Sequence, residues 1–320
     1  MRSIRLRGVL LALAAFTLAL ASFSIYKNYS PAPFFPENGQ TISSSQKMGH
    51  EGADQIIPVD ESEVLRLRKK VRVFVWVMTS PKSKQRARAV NTTWATRADR
   101  DLLVYMSSEA DPSLPAVGLS VKEGRNHLTA KTMQAFDYVY KHYFHKADYF
   151  MKADDDTYVI MENLRYFLSF FDTKEPFFTG RHFKPEVKQG FNSGGAGYVL
   201  SKEALARLAA RPKDPPLCKE DGKGEDVEIA RCLEKLEVRI LNSTDSRGRS
   251  RFHTHEPVKH VIKGVSWMHN YDANVVRVGE HAINEFPISF HYINPEEMRM
   301  MHFFLYHIRP YGINHKFTST

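Results

Sequence analysis

Asp148-Tyr149-Phe150-Met151-Lys152-Ala153-Asp154-Asp155-Asp156-Thr157-Tyr158-Val159 decides how the rest of this chain is read. An apolar run, Tyr149 to Met151, ends in three adjacent carboxylates. Open α/β sheets place their ligands at the carboxyl ends of strands. Folding does not require three like charges in a row. A divalent cation relieves their repulsion, and hard ions prefer carboxylate oxygen. The competing reading is a solvated acidic turn in which Asp154 caps the next helix. The strand-like run before the triplet and the helical apolar spacing after it (Val159, Ile160, Leu164, Phe167, Leu168) favour a metal site.

Upstream, Val71 to Met78 is strongly β-prone and stops at Thr79-Ser80-Pro81. Lys84 to Arg97 is helix-like, Leu102 to Met106 reads as a second strand, and Leu128 to Phe144 has helical spacing. Strand, helix, strand, helix, strand is the alternation of an α/β, Rossmann-like parallel sheet. No G-x-G-x-x-G accompanies it, so a dinucleotide site has no motif. Downstream the pattern mixes. Phe177 to Gly180 is short and β-like, and Asn192-Ser193-Gly194-Gly195-Ala196-Gly197 lets backbone approach a neighbour closely. Tyr198 to Leu200 reads as a strand and Lys202 to Ala210 as a helix. Glu225 and Asp226 open a helix running from Val227 to Leu236, where an acid is ordinarily a cap. Phe252 to Pro287 is irregular and holds Trp267, His269 and Tyr271. A strand over Ile288 to Ile293 precedes a Met- and His-rich helix, Glu296 to His307.

The 320 residues suffice for one large domain, and 42% hydrophobic content supports a sizeable core. The formal charge is +9, but the basic residues are scattered and no nucleic-acid motif accompanies them, so an anionic small ligand is expected rather than nucleic acid. Gly8 to Tyr26 is nearly uninterrupted apolar sequence, preceded by Arg2, Arg5 and Arg7 and followed by Lys27. It is long enough to span a bilayer. A cleaved signal peptide ending near Ala19-Leu20-Ala21 is the rival, with an unusually long apolar run for that role. The expected division is a cytoplasmic tail 1–7, a signal anchor 8–26, a Pro-, Gly- and Ser-rich stem 27–63 and a catalytic domain 64–320. The flanking arginines keep the N-terminus cytoplasmic. In the oxidising compartment this implies, Cys218 and Cys232, the only cysteines, can close a disulfide; two free buried thiols are the alternative. Sequons at Asn28, Asn91 and Asn242 are consistent with a secretory route.

An ordered set of segments then carries a resemblance: Val77-Met78-Thr79, Thr93-Trp94-Ala95, Met106-Ser107-Ser108-Glu109, Lys122-Glu123-Gly124-Arg125, Lys152-Ala153-Asp154-Asp155-Asp156-Thr157-Tyr158-Val159, Ser193-Gly194-Gly195-Ala196-Gly197-Tyr198, Glu225-Asp226, Ser289-Phe290-His291-Tyr292 and Arg309-Pro310-Tyr311-Gly312. From about Val71 to Gly312 the chain resembles the Golgi β1,3-glycosyltransferase family. The resemblance implies a nucleotide-sugar glycosyltransferase fold with a DXD motif, behind an N-terminal transmembrane anchor. It implies an inverting transfer of galactose from UDP-galactose to O-3 of GalNAc on Ser or Thr, with Mn²⁺, in a single-pass type II Golgi membrane protein. Partners would be GalNAc-bearing glycoproteins, the membrane and a homodimer mate.

By the same resemblance the metal ligands fall on Asp154, Asp156 and His291. Nucleotide contacts fall on Met78, Thr79, Glu123, Gly124, Arg125, Lys131, Asp154 and Asp155, with Arg125 or Lys131 adding positive charge against the diphosphate. Trp267 and Tyr292 match positions near the acceptor. Inversion needs a base, and Asp226 is the candidate, with Glu225 holding the acceptor or the two exchanging roles. Relatives carry more cysteines in the late loops than this chain. A sibling transferase using another UDP-sugar, a non-catalytic chaperone relative and a lectin-like module are the rivals. The acidic triplet counts against the last two.

Overall fold

The computed structural model describes residues 62–308. The tail, the apolar segment 8–26, nearly all of the stem, the sequon at Asn28 and Arg309-Pro310-Tyr311-Gly312 lie outside them. Among the described residues no helix is long and apolar enough to cross a membrane.

In chain order the elements are α1 (Ser62–Lys70), β1 (Val73–Met78), α2 (Lys84–Thr92), β2 (Leu103–Ser107), β3 (Ala116–Gly118), α3 (Leu128–Tyr143), β4 (Tyr149–Asp154), β5 (Tyr158–Val159) and α4 (Met161–Leu168). Then follow β6 (Phe177–Gly180), β7 (His182–Phe183), β8 (Phe191–Asn192), β9 (Tyr198–Ser201), α5 (Lys202–Ala209), α6 (Glu225–Lys235), β10 (Arg239–Leu241), β11 (Phe252–His253), α7 (Met268–Tyr271), β12 (Ser289–Phe290) and α8 (Pro295–Tyr306).

Seven strands form one sheet in the order β10-β6-β9-β4-β1-β2-β3. The expected parallel alternation holds for β1, β2, β3 and β4. It fails beyond β4: β9 runs antiparallel to both β4 and β6, so the sheet is mixed. Hydrophobic spacing reports which face a residue takes and is silent on strand direction, which is why the sequence could not show this. β4 and β1 alternate between two cores. Val73, Val75, Tyr149 and Met151 join one with residues of α2, α4 and α8. Phe74, Trp76 and Phe150 join the other with residues of α3, α5 and α6. Trp76 meets Phe136 of α3 edge to face at 5.3 Å; burying a large apolar side chain contributes roughly 2 kcal/mol.

Three boundaries differ from expectation. The helix expected to reach Arg97 ends at Thr92, because the Thr93 hydroxyl donates back to the Ala89 carbonyl at 2.6 Å and the chain turns into a short 3-10 segment, Trp94–Arg97. The strand expected over Ile288 to Ile293 shortens to Ser289–Phe290, leaving His291 and Tyr292 outside it. The helix expected from Val227 begins at Glu225, so both acids are helical residues and Gly224 is the cap. The last helix opens on a capping box between Asn294 and Glu297, with Pro295 in the first turn.

The candidate active site

The acidic triplet follows β4 directly, and β1 lies beside it with Met78 in register with Asp154. No helix is capped by these acids: α4 starts at Met161 behind Ile160, without a side-chain cap. A three-stranded sheet, β11-β12-β5, closes over the turn. Within it Ser289 pairs with Val159 and Phe290 with Tyr158, antiparallel. The Ile293 N–H then donates to the Asp156 carbonyl at 2.9 Å, which brings the His291 segment onto the triplet. His291 Nε2 stands 3.2 Å from Asp156 Oδ1 and 3.9 Å from Asp154 Oδ2. One donor atom from each of Asp154, Asp156 and His291 lies within 4.8 Å of the others. Asp155 turns elsewhere. Its Oδ2 accepts the Thr79 hydroxyl at 2.8 Å, and Arg86 approaches its other oxygen at 3.7 Å.

These residues fit a divalent cation. Two carboxylates and an imidazole form a hard oxygen and nitrogen donor set, and the imidazole nitrogen already faces both acids. Gly195 makes room for it: a Cβ there would stand 2.1 Å from His291 Cε1. The Thr157 hydroxyl donates to the Gly195 carbonyl at 2.7 Å and holds that glycine against the turn. Burial opposes ionisation of Asp156, but hydrogen bonding to His291 and the charges of His291 and Arg86 outweigh it, so its carboxyl stays below the usual range. Burial lifts Asp155 to about 7 despite the Thr79 hydrogen bond, with Asp156 and Asp154 adding to the rise.

The adjacent glycine serves the other half of the site. A Cβ on Gly194 would meet Glu225 Oε2 at 2.5 Å and Asp226 Cβ at 3.3 Å. The Gly194 N–H donates to Asp226 Oδ2 at 3.1 Å, and the Val227 N–H donates to Asp226 Oδ1 at 3.0 Å. Glu225 is buried and accepts the Tyr198 hydroxyl at 2.6 Å. Burial raises its carboxyl above the ordinary value, with Lys152 opposing. The glycine cluster thus separates the metal group from the acid pair by one peptide unit.

Lys152 joins the two halves and was not singled out in the sequence. Its ammonium lies 2.6 Å from Asp154 Oδ1 and 3.6 Å from Glu225 Oε2, and donates to the Gly194 carbonyl at 3.0 Å. Burial works against its charge, yet the surrounding acids raise it well above an ordinary lysine. A legible signal existed: a charged residue inside an otherwise apolar strand needs a buried partner, and Asp154 is two residues on, on the same face. Arg86 was missed as well. Half exposed on α2, it reaches Asp156 Oδ2 at 3.3 Å.

The expected nucleotide residues divide. Met78, Thr79, Glu123 and Lys131 gather at the carboxyl edge of the sheet, where Lys131 donates to the Thr79 carbonyl at 2.8 Å and to both Glu123 oxygens at 2.7 Å. The Lys131 charge is therefore engaged by Glu123 rather than free for a diphosphate. Gly124 takes φ 110°, a left-handed conformation suited to glycine, and Arg125 beside it is exposed. Trp267 and Tyr292 are 43% and 57% exposed. His255 links them, its ring 6.0 Å from Trp267 and 5.3 Å from Tyr292, and Tyr292 stacks on His291 at 4.0 Å. An open aromatic shelf thus borders the metal group. Cys218 and Cys232 are joined, tying the segment before Glu225 to α6.

The Fringe-like family pattern matches residues 68–308. Over 82% of this chain and 73% of the other, it is 40% identical to glycoprotein-N-acetylgalactosamine 3-beta-galactosyltransferase 1 of Xenopus laevis. It is 28% identical to beta-1,3-glucosyltransferase of Mus musculus over 67% of this chain and 41% of that protein. A glycosyltransferase acting on the major capsid of PBCV-1 superposes with a TM-score of 0.37 at 16% identity, covering 71% of this chain and 98% of that one, a likeness too loose to bear on the fold. With the family pattern spanning nearly all the described residues and the acid, histidine and glycine constellation inside it, the chain belongs to the Fringe-like family and is an enzyme of the glycosyltransferase class.

Proposed function

We propose that the chain transfers galactose from UDP-galactose to O-3 of GalNAc on serine or threonine of glycoproteins, with inversion and with Mn²⁺ as cofactor. The observation that carries this reading is the Asp154, Asp156 and His291 group set one peptide unit from the Glu225–Asp226 pair across Gly194-Gly195. The 40% identity to a galactosyltransferase of that specificity supports the choice of sugar and acceptor. Mn²⁺ held by Asp154, Asp156 and His291 would supply Lewis-acid neutralisation of the charge left on the departing diphosphate.

The chain's own residues supply the rest. Inversion places the acceptor oxygen opposite the leaving group, so its proton must pass to a nearby carboxylate. Asp226 is partly exposed and fixed by two backbone N–H groups, which suits a base that meets an incoming substrate. Glu225, inside and hydrogen-bonded to Tyr198, orients the pair. Lys152 holds Asp154 and Glu225 in mutual register, and the Trp267–Tyr292 shelf offers flat apolar surface to a sugar ring. The single-pass type II Golgi placement, with anchor 8–26, stem 27–63 and catalytic domain 64–320, and the homodimer belong to this proposal and rest on the sequence.

The test is the purified chain with a panel of UDP-sugars and a GalNAc-peptide, with Mn²⁺ or with EDTA. Expected is galactose transfer that EDTA abolishes and that Asp156→Ala and His291→Ala each lose while remaining folded. Full turnover in EDTA overturns the metal assignment. Transfer from another UDP-sugar alone favours the sibling reading, to which the likeness to beta-1,3-glucosyltransferase points.

A further inference from the structure

A second concavity opens beside β11, and none of the metal group, the Glu225–Asp226 pair or the Thr79–Lys131 cluster lines it. Its walls include Arg181, His260, Arg277, Asn274, Ser250 and Thr244, and no carboxylate. The hydroxyls are already committed, Ser250 donating to the Phe252 carbonyl and Thr244 to Asn242 Oδ1. The nitrogens are only partly so. His260 is 4% exposed, and its Nε2 has no hydrogen-bond partner. His253 packs on it at 4.8 Å, fully buried. Arg181 donates through Nε to Asp272 and through Nη1 to the Phe252 carbonyl, and its Nη2 makes no hydrogen bond among the described residues. Arg277 is exposed and has no ion pair there.

The charge around this pocket is unbalanced. Asp272, 1% exposed, faces Arg181 and is also capped by the Asn274 N–H. Asp245 is paired with Arg249. Asp272 is thus taken up by Arg181, and Arg277 has no ion pair among the described residues. A water molecule could satisfy His260 but would leave that excess positive charge unmatched, whereas a buried nitrogen left without a partner is costly and an oxyanion accepts from several donors at once.

We infer that this pocket binds a tetrahedral oxyanion, phosphate or sulfate, through Arg181, Arg277, His260 and the side-chain amide of Asn274. Burial, and after it the charge of Arg181, holds His260 down at about 3, so at neutral pH it enters as a neutral N–H donor beside the two guanidinium groups.

The test is isothermal titration calorimetry on the full chain in EDTA, with sodium phosphate, sodium sulfate and glycerol phosphate, each against sodium chloride at matched ionic strength. Expected is one site per chain for phosphate or sulfate that persists with excess UDP. Losing one charge-assisted contact should weaken it roughly ten-fold or more in Arg277→Gln. His260→Phe gives a second, independent loss, while Arg86→Gln, beside the acidic triplet, leaves the affinity unchanged. The monoester binding as tightly as the free ion identifies a group carried on a larger molecule; weaker monoester binding identifies the free ion. Heat no greater than with chloride, equal affinity in wild type and both pocket variants, or displacement by UDP overturns the assignment.

Discussion

Asp226 and Glu225 are neighbours in sequence and opposite in circumstance. Glu225 is inside, lifted by burial and tied to Tyr198 and Lys152, whereas Asp226 is partly open and held by backbone N–H groups. Asp226→Asn keeps the size and one acceptor oxygen but cannot take a proton. Turnover is expected to fall by roughly two to four orders of magnitude, with UDP and Mn²⁺ binding retained by calorimetry. Glu225→Gln keeps an acceptor for the Tyr198 hydroxyl and should cost less; the reverse ranking would move the base to Glu225. Gly195 makes the opposite point, a residue that acts by lacking atoms. Gly195→Ala sets a methyl 2.1 Å from the His291 ring, which must move. Mn²⁺ affinity, read by calorimetry without sugar nucleotide, should drop about 10–100-fold, as when a ligand's support is lost. At this scale the sequence was most legible where chemistry is concentrated. The triplet announced itself, and the glycines announced a close approach. Which acid of the three turns away to Thr79, and that Lys131 answers to Glu123, depended on partners 76 and 8 residues distant.

Elements carry these residues to one another, and here the reading was uneven. β1, β2, α3 and β4 were visible because each is long and periodic. β5, β11 and β12 are two residues each, too short for any period, yet the β5–β12 pairing is what brings His291 to Asp156. Helix α6 shows how an element is pinned. Its start is held by Gly194 N–H on Asp226 and Tyr198 on Glu225, the loop before it by a 2.7 Å contact of His127 with Asp221 and by the Thr129 N–H on the Gly222 carbonyl, and its body by the Cys218–Cys232 bridge. The bridge spans a sequence separation of 14; closing a loop of that size contributes about 3 kcal/mol. Replacing both cysteines by serine should lower the unfolding temperature by roughly 5–10 °C. Because the first turn keeps its other anchors, kcat measured below that temperature should stay within about three-fold of wild type. A large fall in kcat in protein shown to be folded would make the bridge a positioning element instead.

The whole molecule adds a property that no single element has, its response to acid. Four histidines of the described residues, His253, His255, His260 and His302, are buried, and burial lowers each. Burial holds His260 at about 3 and His302 at about 4, and takes His253 well below the ordinary value. Unfolded, each titrates near 6.5. Below that pH the unfolded chain binds protons that the folded chain refuses, so stability is lost as pH falls from about 6.5 towards the folded values, with a slope of up to roughly 1.4 kcal/mol per pH unit for each group. Asp155 works the other way. Its folded value of about 7 stands above the unfolded one, so between about 4 and 7 the folded chain gains protons and stability rises as pH falls, and burial raises Glu225 in the same sense. The four histidines, together with carboxylates held low such as Asp111, Asp156 and Asp245, outweigh these two and leave a net loss on acidification. Urea midpoints in EDTA and in buffer free of phosphate and sulfate should therefore fall steadily from pH 6.5 to 4.5. His302 gives the cleanest variant, because it sits on α8 against the Tyr158 hydroxyl and belongs to neither the anion pocket nor the metal group. His302→Phe removes one titrating group while keeping a ring against Tyr158. The acid slope should flatten by close to one proton's worth, even if the midpoint at pH 7 drops through loss of the 3.0 Å contact between the Tyr158 hydroxyl and His302 Nδ1. An unchanged slope in that variant would mean that His302 takes up its proton in the folded state, and that the acid sensitivity resides in the carboxylates.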